Sequence, residues 1–87
     1  MIKDYYLCGE INLTEEKEFA KFINDTQNNS NIKGINLYIN SNGGEAYAGI
    51  GISDMICTSK IPITTICLSE SMSMAFLIFI SGSYRKC

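Results

Sequence analysis

Two stretches of this chain carry residue types that could do chemistry. The first is Asn40-Ser41-Asn42-Gly43-Gly44-Glu45. Glycine tolerates positive φ and brings bare backbone N–H groups close to whatever lies above them. Where such a turn feeds a helix, the unpaired N–H groups of the first helical turn point at the same place. The turn can then hold a negative charge, either a bound anion or one that develops during a reaction. The plain alternative is a tight turn that simply needs positive φ. No Gly-Lys-Ser/Thr follows and the spacing is not GxGxxG, so a phosphate cradle has little support. The second stretch is Ser73-Met74. A serine that opens a helix exposes its hydroxyl at the positive end of the dipole and is a candidate nucleophile. Next to it, the Met74 N–H could join that of Gly44 in an oxyanion hole. The same serine could equally be no more than a helix cap.

Composition narrows the chemistry further. The 87 residues contain no histidine, so no Ser–His or Cys–His pair can form within them. The cysteines at 8, 57, 67 and 87 include no CxxC pair, which argues against a metal site, and nothing points to a cofactor. Cys57 and Cys67 read as small core hydrophobes. The formal charge of −2, without a Lys/Arg cluster, argues against nucleic-acid binding. The N-terminus has no apolar signal core, and the longest apolar run, Met74 to Ile80, is too short to span a bilayer. The expected compartment is the cytoplasm, with thiols reduced and no membrane partner. An apolar share of 46% supports one small globular domain over 1–87. Its narrow stability margin suggests a partner or self-association.

The elements that must position these residues follow from periodicity. Tyr5-Tyr6-Leu7 predicts a first strand, ending at Gly9. Asn12 and Glu15 form a variant capping box for a helix whose Phe19, Phe22 and Ile23 share a face. The Asn-rich run from Asn24 to Asn31 reads as a solvated loop. Ile35, Leu37 and Ile39 alternate with polar or aromatic neighbours as a second strand, expected to be sandwiched. A helix follows from about Glu45 to Thr58, with Ala48, Ile52, Met55 and Ile56 on one face. Its Gly49 and Gly51 are tolerable if another backbone packs close. Ile63 to Leu68 is a third, β-branched strand. Periodicity leaves Met74 to Ile80 open between buried strand and buried helix, with Gly82 suited to a helix C-cap. The pattern is α/β, with helix-length crossovers between parallel strands. Ligands on such sheets gather at the carboxyl ends of the strands. Both the Gly43-Gly44 turn and the Ser69–Ser73 segment leave from that edge.

Taken together, Leu37-Tyr38-Ile39-Asn40-Ser41-Asn42-Gly43-Gly44, Ala48-Gly49, Thr65-Ile66-Cys67 and Ser73-Met74 resemble the proteolytic subunit of the Clp protease. That family carries Y-I-N-S-P-G-G, A-G, S-T-I-C and A-S-M-G in the same order and spacing. Leu7-Cys8-Gly9-Glu10-Ile11 is similar to its L-x-G-E-I opening. The resemblance implies a ClpP/crotonase-like spiral of βαβ units with a small parallel sheet, cut off after the nucleophile helix. It implies Ser73 as catalytic serine, Gly44 and Met74 as oxyanion donors, and Gly43 and Gly44 beside an extended peptide substrate. It makes Met74 to Ile80 a helix. It also implies rings of like or related Clp-type subunits that work with an ATP-driven unfoldase.

The chain departs from the family's pattern in several places. Asn42 replaces the family's proline, Met72 its alanine and Ala75 its glycine. The last two could crowd the oxyanion hole. The family's histidine and aspartate lie downstream of the serine, beyond Cys87. The expectation is therefore a serine endopeptidase subunit that is incomplete as an 87-residue chain. The alternative is a non-catalytic ring-assembly subunit or inactive remnant of the same fold. A crotonase-type thioester site, or a Ser–Lys dyad using Lys60 or Lys86, fits the motifs less well.

Overall fold

The computed structural model describes residues 1–41, 43–71 and 74–86, and only the backbone at 69–71, 74, 85 and 86. Asn42, Met72, Ser73 and Cys87 lie outside the described residues. The order is β1 (Ile2–Cys8), α1 (Leu13–Gln27), β2 (Gly34–Ser41), α2 (Ala46–Thr58), β3 (Ile63–Ser71), α3 (Met74–Ile80) and β4 (Tyr84–Lys86). The four strands form one parallel sheet in the order β1-β2-β3-β4. This is the expected βαβ spiral.

Because each crossover steps to the next strand in the same direction, the helices gather on one face of the sheet. The core shows this. Leu7, Ile35, Leu37, Ile39 and Ile63 from the strands pack with Phe19 and Ile23 of α1, Ala48, Ile52 and Ile56 of α2, and Ala75, Ile78 and Phe79 of α3. The shortest dimension, 18 Å, is that of a single sheet under a single helix layer. The sandwiched environment expected for β2 is therefore only half present. Its odd residues are buried while Asn36, Tyr38 and Asn40 face the open side. On that side the Tyr6 and Tyr38 rings stack at 4.8 Å, and Asn36 Nδ2 donates to Asp4 Oδ1 at 3.2 Å.

Local chemistry explains the element boundaries. The Asn12 side chain caps α1 by accepting the Glu15 N–H at 2.9 Å. The reciprocal half of the capping box is absent among the described residues. Burial of Tyr5 against Phe19 and Phe22 instead draws its hydroxyl to Glu15 Oε2, 3.0 Å away. α1 also runs further than the Asn-rich run suggested, to Gln27, because Thr26 is buried and its hydroxyl bonds back to the Phe22 carbonyl at 2.7 Å. Where α2 crosses α1, the neighbour of Gly51 is the Glu16 side chain, not a backbone.

Met74–Ile80 is a helix. The following Gly82 is not a left-handed cap, since only Gly9, Gly43 and Gly44 among the described glycines have positive φ. A side chain at Gly82 would instead press into Thr65, with Cβ atoms 3.0 Å apart. That close approach lets the chain turn into β4, a strand the polar end of the sequence did not announce. Of the cysteines, Cys67 packs on the core while Cys57 is exposed, because α2 turns it away from the apolar stripe of Ala48, Ile52 and Ile56.

Candidate active site

The site is built at the carboxyl edge of the sheet. β2 and β3 end in register, with Ser41 opposite Ser71. A bulge in β3 inserts residues between that pair and the pair Ile39–Cys67. The Gly43-Gly44 turn follows β2, and α3 follows β3. The two segments singled out by sequence thus leave neighbouring strands at one edge. Met74 is the first residue of α3, so its N–H has no acceptor within the helix. Ser73 lies outside the described residues. Ala75 is fully buried in the core cluster, where its methyl fills space among apolar neighbours.

The glycine turn is held in a defined way. Gly43 has φ 108° and Gly44 has φ 156°. Gly44 forms a parallel bridge with Ile11: the Ile11 N–H donates to the Gly43 carbonyl at 3.0 Å, and the Glu45 N–H donates to the Ile11 carbonyl at 2.8 Å. No side chain fits at Gly44, since a Cβ there would lie 2.7 Å from Ile11 N and 2.9 Å from its carbonyl carbon. A trans peptide points its C=O and N–H in opposite directions. With the Gly43 carbonyl turned to Ile11, the Gly44 N–H faces the other way, and among the described residues it has no acceptor. The Gly43 N–H, by contrast, is taken by Ser41 Oγ at 3.1 Å. Of the two glycines only Gly44 offers an open amide.

The N-terminus of α2 is not an open anion site either. The Glu45 carboxylate accepts from the Tyr47 N–H at 3.0 Å and the Ala48 N–H at 2.8 Å. The anion that this helix holds is its own side chain, which removes the first reading of the turn as a general anion cradle. Among the described residues no cluster of His, Cys, Asp or Glu could hold a metal ion. Sequence reasoning did not assign roles to Ser41, Ile11 or Glu45. Ser41 had a local signal, since a serine two residues before a turn glycine can accept its N–H. Ile11 had none, because its contribution comes from a backbone more than thirty positions away in the chain.

A one-sided parallel βα spiral, with a glycine turn and a short apolar helix leaving neighbouring strands at the carboxyl edge, defines the class of protein to which this chain should belong. A family model described as Clp protease matches residues 3–87, and the chain belongs to that family. It is 42% identical over 52 residues to the ATP-dependent Clp protease proteolytic subunit of Deinococcus radiodurans, a match covering 60% of this chain and 26% of that protein. The corresponding subunit of Mesostigma viride is 47% identical over 51 residues, covering 59% of this chain and 22% of its own length. Among solved structures, ClpP1 from Listeria monocytogenes superposes with a TM-score of 0.84 at 26% identity, over 91% of this chain and 46% of that one. A membrane-bound stomatin-specific protease mutant shares the fold, with a TM-score of 0.83 at 20% identity over 94% of this chain and 41% of its own. The chain spans less than half the length of the solved relatives, and the matches cover about a quarter of the curated ones.

Proposed function

We propose that this chain supplies the nucleophile and oxyanion hole of a Clp-type serine endopeptidase. The observation that carries the reading is the open, outward-facing Gly44 N–H, whose direction is set by the bond from Ile11 to the Gly43 carbonyl. A donor that is fixed before the reaction, and aimed where charge develops, stabilises a tetrahedral intermediate at no further cost of reorganisation. In the proposed reaction Ser73 Oγ attacks a peptide carbonyl carbon and its proton passes to a base. The carbonyl oxygen becomes an oxyanion between the N–H groups of Gly44 and Met74. Collapse expels the amine, which takes up a proton, and water then hydrolyses the acyl-enzyme. The substrate is an extended peptide laid along Gly43 and Gly44.

These 87 residues hold no histidine, so a histidine base has to come from outside them. A serine hydroxyl without a base is a weak nucleophile. We therefore assign activity to an assembly with Clp-type subunits or with a histidine-bearing segment, fed by an ATP-driven unfoldase. Cys8, Cys57 and Cys67 are free thiols, which suits a reducing compartment, and we assign the chain to the cytoplasm. No described helix is long and apolar enough to cross a membrane.

Labelling with a fluorophosphonate serine probe tests the reading. Modification is expected at Ser73 when the histidine-bearing portion of a Clp-type subunit is supplied, and Ser73→Ala should abolish it. Absence of labelling in that mixture sinks the enzymatic reading. The lack of histidine favours a second reading, a non-catalytic subunit that keeps the fold for ring assembly. Under that reading sedimentation shows co-assembly while the probe stays unreacted.

A further inference from the structure

The hydroxyl of Ser41 is a buried polar group that the proposed chemistry leaves unused. Ser41 is 1% exposed. Its Oγ donates to the Gly9 carbonyl at the end of β1 and accepts the Gly43 N–H at 3.1 Å, with the Gly43 carbonyl a longer alternative at 3.4 Å. One hydroxyl therefore joins the exit of β1, the exit of β2 and the glycine turn.

The position of this joint matters because of what it restrains. The Gly43–Gly44 peptide unit carries both the Gly43 carbonyl and the Gly44 N–H, on opposite sides. Rotating that unit by half a turn would withdraw the N–H and present a carbonyl oxygen where an oxyanion should sit. The residues on both sides are glycines, so local sterics resist such a rotation weakly. Resistance must come from outside the turn. Ile11 supplies one hold through its bond to the Gly43 carbonyl, but Ile11 follows Gly9, itself at φ 83°. Ser41 fastens both sides of this bridge, Gly9 before Ile11 and Gly43 before Gly44. We infer that Ser41 is a positioning residue for the oxyanion site, its hydroxyl holding the Gly43–Gly44 peptide with the Gly44 N–H facing outward.

The inference rests on the functional reading above for its catalytic consequence, and on the geometry alone for its conformational one. The two are tested separately, with Ser41→Ala in the full chain. Ser41→Cys, which keeps the volume but bonds weakly, serves if alanine does not fold. In ¹⁵N-resolved hydrogen exchange the wild-type Gly43 amide should be protected and the Gly44 amide should exchange freely, each with one signal. The variant should lose Gly43 protection at least about tenfold, with a broadened or doubled Gly44 signal. Unchanged Gly43 protection and a single unshifted Gly44 signal overturn the inference. In the labelling mixture, the rate of Ser73 modification per folded chain should fall about 10- to 100-fold. KM for a peptide substrate should stay within about twofold and Ser41→Thr should recover part of the rate. A purely structural Ser41 would lower the melting temperature and leave the rate per folded chain unchanged, which also overturns the inference. If the wild type itself is never labelled, the functional reading fails and the exchange measurement alone decides the role of Ser41.

Discussion

At Gly44 the backbone of one segment lies where the side chain of any other residue would have to go. A Cβ there meets Ile11 N at 2.7 Å, and φ is 156°. Gly44→Ala must move the bridge apart or strain the turn, a cost of roughly 1–3 kcal/mol. A urea melt should show the lower midpoint, and the fluorophosphonate rate should fall with it. Tyr5 and Glu15 give a second prediction. Burial, and then its bond to Glu15, hold the Tyr5 phenol well above its ordinary range. Burial likewise raises the Glu15 carboxyl above its ordinary 4.5, against the opposing pull of the Tyr5 hydroxyl. Both folded values lie above the unfolded ones, so both groups favour the fold in their protonated forms. Tyr5's contribution is complete below pH about 10 and declines as pH rises beyond it toward the raised folded value. That of Glu15 is complete only below 4.5 and is lost as pH climbs through its raised value. Denaturation midpoints measured against pH should therefore drop above pH about 10. Tyr5→Phe should remove that drop and shift the acidic transition upward, because Glu15 loses the bond that held its pKa down. Gly43 and Gly44 were legible as a special turn because paired glycines before a helix have few other uses. The partners that define the turn were harder to read. Ile11 and Ser41 act through pairings across β1 and β2 that local periodicity does not encode.

Thr65 shows how one side chain can organise an element boundary. It is fully buried, and its Oγ1 donates to the Phe79 carbonyl at 2.6 Å, with the Tyr84 carbonyl also within 3.3 Å. The last turn of α3 and the start of β4 are thus fastened to β3. Thr65→Val keeps the shape but leaves the Phe79 carbonyl only the longer bond from the Gly82 N–H at 3.5 Å, so it should cost about 1 kcal/mol. A chemical melt followed by circular dichroism measures this. α2 was readable nearly to its ends, since a glycine turn precedes its apolar stripe and Lys60 and Pro62 follow it. α3 needed the family resemblance, because an all-apolar run of seven residues has no period to read. β4 was missed because Tyr84–Lys86 is too short and polar to alternate, and it pairs only because Gly82 allows a close approach to Thr65. The end of α1 was misjudged for the opposite reason, since its asparagines suggested a loop while burial of Thr26 kept the helix going.

For the molecule as a whole, the one-sided sheet is the main fact. Parallel strands are ordinarily covered on both faces. Here Tyr6 is 60% exposed, Leu68 50% and Tyr84 64%, all on the uncovered side. Tyr47 of α2 and Phe76 of α3 are exposed as well. Exposed apolar surface of this kind drives association. Sedimentation should give a mass above the 9.7 kDa of a single chain, and Tyr6→Lys together with Leu68→Lys should shift it toward one chain. A monomer in the unsubstituted protein would refute this. The order of elements from β1 to β3 was legible in the sequence, because helix-length segments between strands leave few other topologies. The open face was not, since alternation in β2 is equally consistent with a polar face turned to water and with one turned to another subunit.

The bridge between Ile11 and the glycine turn also has a consequence in time. Among the described residues, the hydrogen bonds around the glycine turn, from the Gly9 carbonyl to the Ala48 N–H, join residues within the first 48 positions. The segment made first therefore carries the hydrogen-bonding partners of the glycine turn, and β3, which pairs with β2 at Ser41–Ser71, is made after it. The strands lie in the sheet in the order in which they are made, so each new strand extends the edge of a sheet begun by β1 and β2.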